Sequence, residues 1–179
     1  MKVAIFLADG FEECEALIVV DILRRAGVET FLISIADKLE VESSRHIVVI
    51  ADALAKDVEY TDLDLVVLPG GRLGTENLSK SALVKEQCQV FAKNKKVAAI
   101  CAAPTILAKL GLLDGKNATC HPDFEKEMNK ALLKHEHVVQ DGNILTGQGL
   151  GASFEFAFEL VRVLVGNERV QQIKKEICY

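Results

Sequence analysis

The feature that most constrains this chain is an alternation of short, continuously apolar runs with segments of helical length that carry an apolar stripe. Lys2–Leu7 reads as a strand, Glu12–Ala26 as a helix ended by Gly27, and Val28–Ser34 as a second strand. Val41–Ile50 is rich in β-formers but broken by Ser43, Ser44 and Arg45, as in a hairpin or an edge excursion. Leu65–Leu68 is a third buried strand stopped by Pro69-Gly70-Gly71. A helix over Ser81–Lys93, a strand over Val97–Ile100 and a short helix over Pro104–Leu110 follow. Asp114-Gly115 turns the chain toward Asn117–Cys120, and Asp123–Leu133 is predicted helical. Val138–Gln140 and Ile144–Thr146 flank Asp141-Gly142, a strong hairpin signal, and Ser153–Leu164 and Glu168–Ile177 read as helices. Strands apolar at every position must be covered on both faces, so the predicted class is α/β, a mostly parallel sheet with helices on either side.

In such sheets the binding crevice lies beyond the carboxyl ends of the strands. Asp9-Gly10, Pro69-Gly70-Gly71, Cys101 and Gly147-Gln148-Gly149 all follow strands and are expected to converge at one edge. With 179 residues, half of them apolar, and no break in composition, the chain fits one domain, 1–179. Its net charge of −5, with acids and bases interspersed, argues against nucleic acid held by bulk electrostatics and against a polybasic membrane anchor. The opening apolar run stops at Asp9, too early for an export signal. The 5 cysteines are odd in number and include no C-x-x-C pair, so reduced thiols in a cytoplasmic setting are expected. Gly147-x-Gly149-x-Gly151 comes too late for a dinucleotide fold and lacks its final glycine, and no P-loop follows any glycine cluster. No cofactor is implied. His135-Glu136-His137 has no further ligand pattern, so no metal is assigned either.

Cys101 stands between Ala98-Ala99-Ile100 and Ala102-Ala103-Pro104. A nucleophile on a sharp strand-to-helix turn needs tiny neighbours, a need the hydrolase elbow meets with glycines and this chain with alanines. That geometry exposes the sulfur above the sheet and aims a helix N-terminus at it, which favours thiolate. For Cys14, Cys88, Cys120 and Cys178 a plain packing role suffices. Glu12 and Glu13 simply complement a helix dipole, whereas Glu15 is expected on the inward side. There it is either a carboxyl that holds a proton beside the thiolate or an ordinary solvated acid. His121 is either a proton carrier at the same edge or a loop histidine capping carbonyls. Gly70-Gly71 is either a plain turn or, with the Ala102 N–H, a donor pair for an oxyanion.

Five motifs in order resemble the ThiJ/PfpI superfamily, in its DJ-one branch, over essentially the whole chain. They are Asp9-Gly10-Phe11-Glu12-Glu13-Cys14-Glu15-Ala16, Arg24-Arg25-Ala26-Gly27, Val66-Val67-Leu68-Pro69-Gly70-Gly71, Ala98-Ala99-Ile100-Cys101-Ala102-Ala103-Pro104 and Gly149-x-Gly151-Ala152-Ser153-Phe154-Glu155-Phe156-Ala157. The resemblance implies a flavodoxin-like sandwich and a homodimer. It implies Cys101 as the reactive thiol, Glu15 as its protonated partner, His121 nearby, and Gly71 and Ala102 as oxyanion-binding amides. Arg45 matches an arginine that family dimers place near the interface and pocket. Ala102 stands where protease-like and amidotransferase branches carry histidine, which argues against peptidase or glutaminase activity.

The expected activity is glutathione-independent conversion of a dicarbonyl such as methylglyoxal to lactate, or deglycation of early adducts of the same aldehydes, on the Cys101 thiol. The alternative is a redox sensor or chaperone that uses the same oxidisable cysteine without significant turnover. Thiamine-biosynthetic or kinase activity finds no phosphate-binding motif.

Overall fold

A strand whose every side chain is apolar needs cover on two faces, and β1 (Lys2–Leu7) has it. Val3, Ile5 and Leu7 point into one core layer, and Ala4 and Phe6 into the other. The computed structural model describes residues 1–179. After β1 comes α1 (Glu13–Arg25), ended by Gly27, whose φ of 78° returns its N–H to the Arg24 carbonyl. Then follow β2 (Glu29–Ser34), an antiparallel hairpin of β3 (Glu40–Glu42) and β4 (Val48–Ile50), the short β5 (Ala53–Leu54) and β6 (Leu65–Leu68). Next are α2 (Arg72–Lys80), α3 (Ala82–Asn94), β7 (Lys96–Ile100), α4 (Pro104–Lys109) and β8 (Asn117–Ala118). The chain closes with β9 (Leu132–Leu133), β10 (Val138–Asp141), β11 (Ile144–Gly147), α5 (Ser153–Leu164) and α6 (Asn167–Glu176).

The main sheet has seven strands in the order β10-β11-β7-β6-β1-β2-β5, parallel throughout except for β10 against β11. This is the predicted α/β class. Layer one packs α1 and α5 on the sheet and α6 on α5, with Phe156 and Leu160 of α5 in one core cluster with Val19 and Leu23 of α1. Layer two packs α3 and α4, with Cys88, Phe91, Ile106 and Leu107 at its centre.

β1 continues to β2 on one side while β6 and β7 lie on the other, so the order switches between β1 and β6. The loops leaving β1, β6 and β7 therefore open a crevice at their carboxyl ends.

Two expectations need correction. Asp123–Leu133 is not a helix: Pro122–Glu127 forms a 3-10 turn, Asn129 takes a left-handed φ of 49°, and Leu132–Leu133 pairs in parallel with β8. The stretch Asn117–Cys120 is extended only as far as Ala118. In addition, α2 forms directly after Gly71, where the sequence suggests only a turn.

Candidate active site

Cys101 is the first residue after β7, and its φ of 66° lies in the left-handed region that non-glycine residues avoid. Such a backbone costs about 1–3 kcal/mol and persists only where its surroundings hold it. Here two hydrogen bonds do so. The Cys101 N–H donates to the Gly147 carbonyl at the end of β11 (2.9 Å), and the Cys101 carbonyl accepts from the His121 N–H (2.9 Å). The second bond also brings the His121 loop to the cysteine. The alanines on either side are fully buried.

Glu15, in the first turn of α1, reaches the same point and is 0% exposed. Its Oε2 accepts from the Gly70 N–H at 2.8 Å. Its Oε1 is buried without any N–H or O–H donor, and the Cys101 thiol is the polar group beside it. Gly70 explains how carboxyl and thiol come together. A Cβ at that position would lie 2.5 Å from Glu15 Oε2 and 2.6 Å from the Cys101 Cβ, so only glycine fits between them. Gly71 is equally constrained, with φ 87° and a Cβ position 2.3 Å from the Gly10 carbonyl oxygen.

Burial pushes the Glu15 carboxyl up to about 7, against the opposing hydrogen bonds from Cys101 and the Gly70 N–H. Burial, then the Glu15 charge and hydrogen bond, pushes the Cys101 thiol up to about 12, while N–H groups of Gly71 and Ala102 pull it down. This reverses the expectation of a thiol lowered by the helix N-terminus alone. α4 is only six residues long, and burial together with the adjacent carboxyl outweighs its dipole. The physical cause is mutual: two acids that share a buried site resist ionising together, and each shift depends on where the other's proton sits. Gly71 and Ala102 direct their N–H groups at the sulfur, as the oxyanion expectation requires of their position.

His121 and Arg45 line both cavities that flank Cys101, one of about 600 Å³ on the Asp9 side and one of about 510 Å³ on the Gly149 side. The His121 Nδ1 accepts from the Asp123 N–H at 3.3 Å, a capping contact, and the ring stays partly exposed. This contact caps an N–H rather than the carbonyls that the loop reading expects, and the ring lines both cavities beside Cys101. Arg45 stands on the turn between β3 and β4. The sequence reading missed Glu13. It is buried rather than merely dipole-complementing: its carboxylate and that of Glu12 both accept from the Ser44 hydroxyl, at 3.2 and 3.0 Å. Although burial works to raise it, Glu13 is held below the usual range by hydrogen bonds from its own N–H, Ser43 and Ser44, and by the Arg45 charge. Ser43 and Ser44 immediately before Arg45 were the available signal. His135 pairs with Glu125, whereas His137 pairs with Glu155 and also lines the Gly149-side cavity together with Cys101.

Comparison with known proteins bears on this arrangement. Residues 1–163 match the DJ-1/PfpI family. The chain is 39% identical over 180 residues to Protein DJ-1alpha of Drosophila melanogaster, covering 98% of this chain and 82% of that protein. It is 28% identical over 170 residues to the glutathione-independent glyoxalase DJR-1.2 of Caenorhabditis elegans, covering 93% and 90%. The crystal structure of Drosophila melanogaster DJ-1beta superposes with a TM-score of 0.95 at 35% identity, covering 99% of this chain and 97% of that one.

Proposed function

The chain belongs to the DJ-1/PfpI family, and from that premise we propose that it converts 2-oxoaldehydes such as methylglyoxal to 2-hydroxyacids on Cys101, without glutathione. The observation that carries this reading is the meeting of a buried carboxyl and a thiol across Gly70. Above about pH 7 the pair holds one proton. When Glu15 carries it, the thiol loses its repulsive neighbour, gains an O–H donor, and is stabilised as thiolate by the Gly71 and Ala102 N–H groups. The sulfur then adds to the aldehyde carbon, and the aldehyde oxygen takes a proton to give a hemithioacetal. Glu15 or His121 moves the proton from that carbon to the neighbouring ketone carbon through an enediol. The product is a 2-hydroxyacyl thioester, which water cleaves to lactate and free thiol. One carbon is oxidised and its neighbour reduced, so no external oxidant or reductant is required.

Deglycation of early adducts draws on the same chemistry, because such adducts release free aldehyde. A redox-sensing role is supported by one feature: a protonated Glu15 offers a hydrogen bond to an oxygen added on the sulfur. A homodimer, with Arg45 near its interface, and a cytoplasmic setting complete the proposal; no helix is long and apolar enough to cross a membrane.

The test is lactate formation from methylglyoxal followed by NMR in wild type and Cys101→Ser. A loss on the order of 100-fold is expected on removing the nucleophile. Equal lactate in both overturns the cysteine mechanism. Negligible turnover in wild type, with peroxide oxidising Cys101 selectively, would instead favour the sensor.

A further inference from the structure

The cavity on the Asp9 side of Cys101 holds about 600 Å³, many times the volume of a three-carbon dicarbonyl. Its charged walls are unequally engaged. Asp9 accepts from the Glu42 N–H at 2.9 Å and faces the Lys38 Nζ at 3.5 Å. Glu12 accepts from the Ser44 hydroxyl, and Glu42 pairs with His46 at 2.5 Å. The two guanidiniums of the cavity are held more loosely, although the Arg45 charge acts on Glu13 and Arg72 has Asp123 as a distant ion-pair partner. The Arg45 guanidinium forms no ion pair within 4 Å and donates only to the Ser44 carbonyl, at 3.3 Å. Arg72 forms no hydrogen bond. It lies over the Phe124 ring, 4.9 Å from its centroid, and the Asp123 carboxylate is 3.8 Å away, beyond hydrogen-bond reach.

We propose that Arg72 and Arg45 bind a carboxylate at the far end of the substrate, so that this chain selects anionic 2-oxoaldehydes over neutral ones. The inference rests on Cys101 being the group that adds to the aldehyde. Arg72 is the first residue of α2, next to Gly71, whose N–H faces the sulfur, so anion and reacting carbon are read from adjoining positions. A guanidinium suits the task because its planar fork matches a carboxylate in two hydrogen bonds. Stacking on Phe124 holds the Arg72 fork in place without spending its donors. The covalent step is unchanged: 4,5-dioxopentanoate plus water gives 2-hydroxyglutarate, with the aldehyde carbon oxidised and the ketone carbon reduced.

Two measurements on the full chain test this. The first compares kcat/KM for 4,5-dioxopentanoate with that for 2-oxopentanal, the same chain without charge. The expected ratio is about tenfold or more, carried by KM and falling with added salt; Arg72→Gln and Arg45→Gln each lower it, and Arg72→Lys restores part of it. The second needs no turnover: the rate at which iodoacetate alkylates Cys101, relative to iodoacetamide, normalised to the same ratio for free cysteine. Wild type should exceed free cysteine several-fold, and the double variant Arg45→Gln/Arg72→Gln should not. A wild-type alkylation ratio no higher than free cysteine, or one unchanged in the double variant, overturns the proposal. Anion-selective alkylation with no turnover of either aldehyde would sink the proposed activity and its substrate assignment, leaving only an anion subsite.

Discussion

Glu15 has one oxygen bonded to the Gly70 N–H and the other beside a thiol, a setting that makes its proton hard to remove. Its pKa of about 7, against 4.5 for the free group, means that the folded chain binds more protons than the unfolded chain between those values. Stability from this group is therefore fully present below about pH 4.5 and is lost as pH rises to 7. The full difference is roughly 3 kcal/mol at 1.36 kcal/mol per pKa unit. Glu15→Gln should flatten that fall in urea titrations made across the window while removing lactate formation. A stability curve with the same slope in the variant would contradict the assignment. Gly70→Ala tests the contact itself. Its Cβ must displace either the carboxyl or the thiol, so kcat should fall on the order of 100-fold while the far-ultraviolet circular dichroism stays that of the wild type.

The elements that carry the site were unequally legible. β1, β6 and β7 announce themselves by unbroken apolar runs, and α1 by its stripe and its terminal glycine, so the crevice could be placed with Gly71, Cys101 and His121 at one edge. Glu15, by contrast, read equally as a buried or a solvated acid, and only the family resemblance set it beside the thiol. α2 was invisible because Gly71-Arg72-Leu73-Gly74 reads as a turn. Gly74 is in fact a packing residue, since a Cβ there would lie 2.6 Å from the Phe11 Cα as the helix closes on the β1 loop. The 3-10 turn after His121 misled in the opposite sense. Pro122 and the acids behind it look like a helix start, yet the Asn129 backbone ends any helix before Leu132 pairs with β8. Nor could spacing show that burial and a neighbouring carboxyl outweigh a helix dipole at Cys101, because that balance depends on three segments distant in sequence. The hairpin of β3 and β4 is fastened to α1 by the Ser44 hydroxyl between Glu12 and Glu13. Ser44→Ala should free the turn that presents Arg45 and leave Glu13 short of a donor. The expected outcome is a KM raised several-fold with a smaller change in kcat, and a loss of about 1–3 kcal/mol in chemical unfolding.

At the scale of the whole molecule, the same hairpin leaves Ile47, Val48 and Ile50 exposed at 48%, 58% and 60%, side by side with the pocket arginine. Contiguous apolar surface of this kind is usually covered by a partner. The wild-type chain should sediment at twice its single-chain mass and Ile50→Glu at or near the single-chain mass. A monomeric wild type would remove the basis for placing Arg45 at an interface. One last property follows from the two cavities that meet at Cys101. Cys101 belongs to a wall common to both chambers. A bulky acyl group parked in one chamber does not bar water from entering through the other, and the residues that welcome a guest need not be those that see it out.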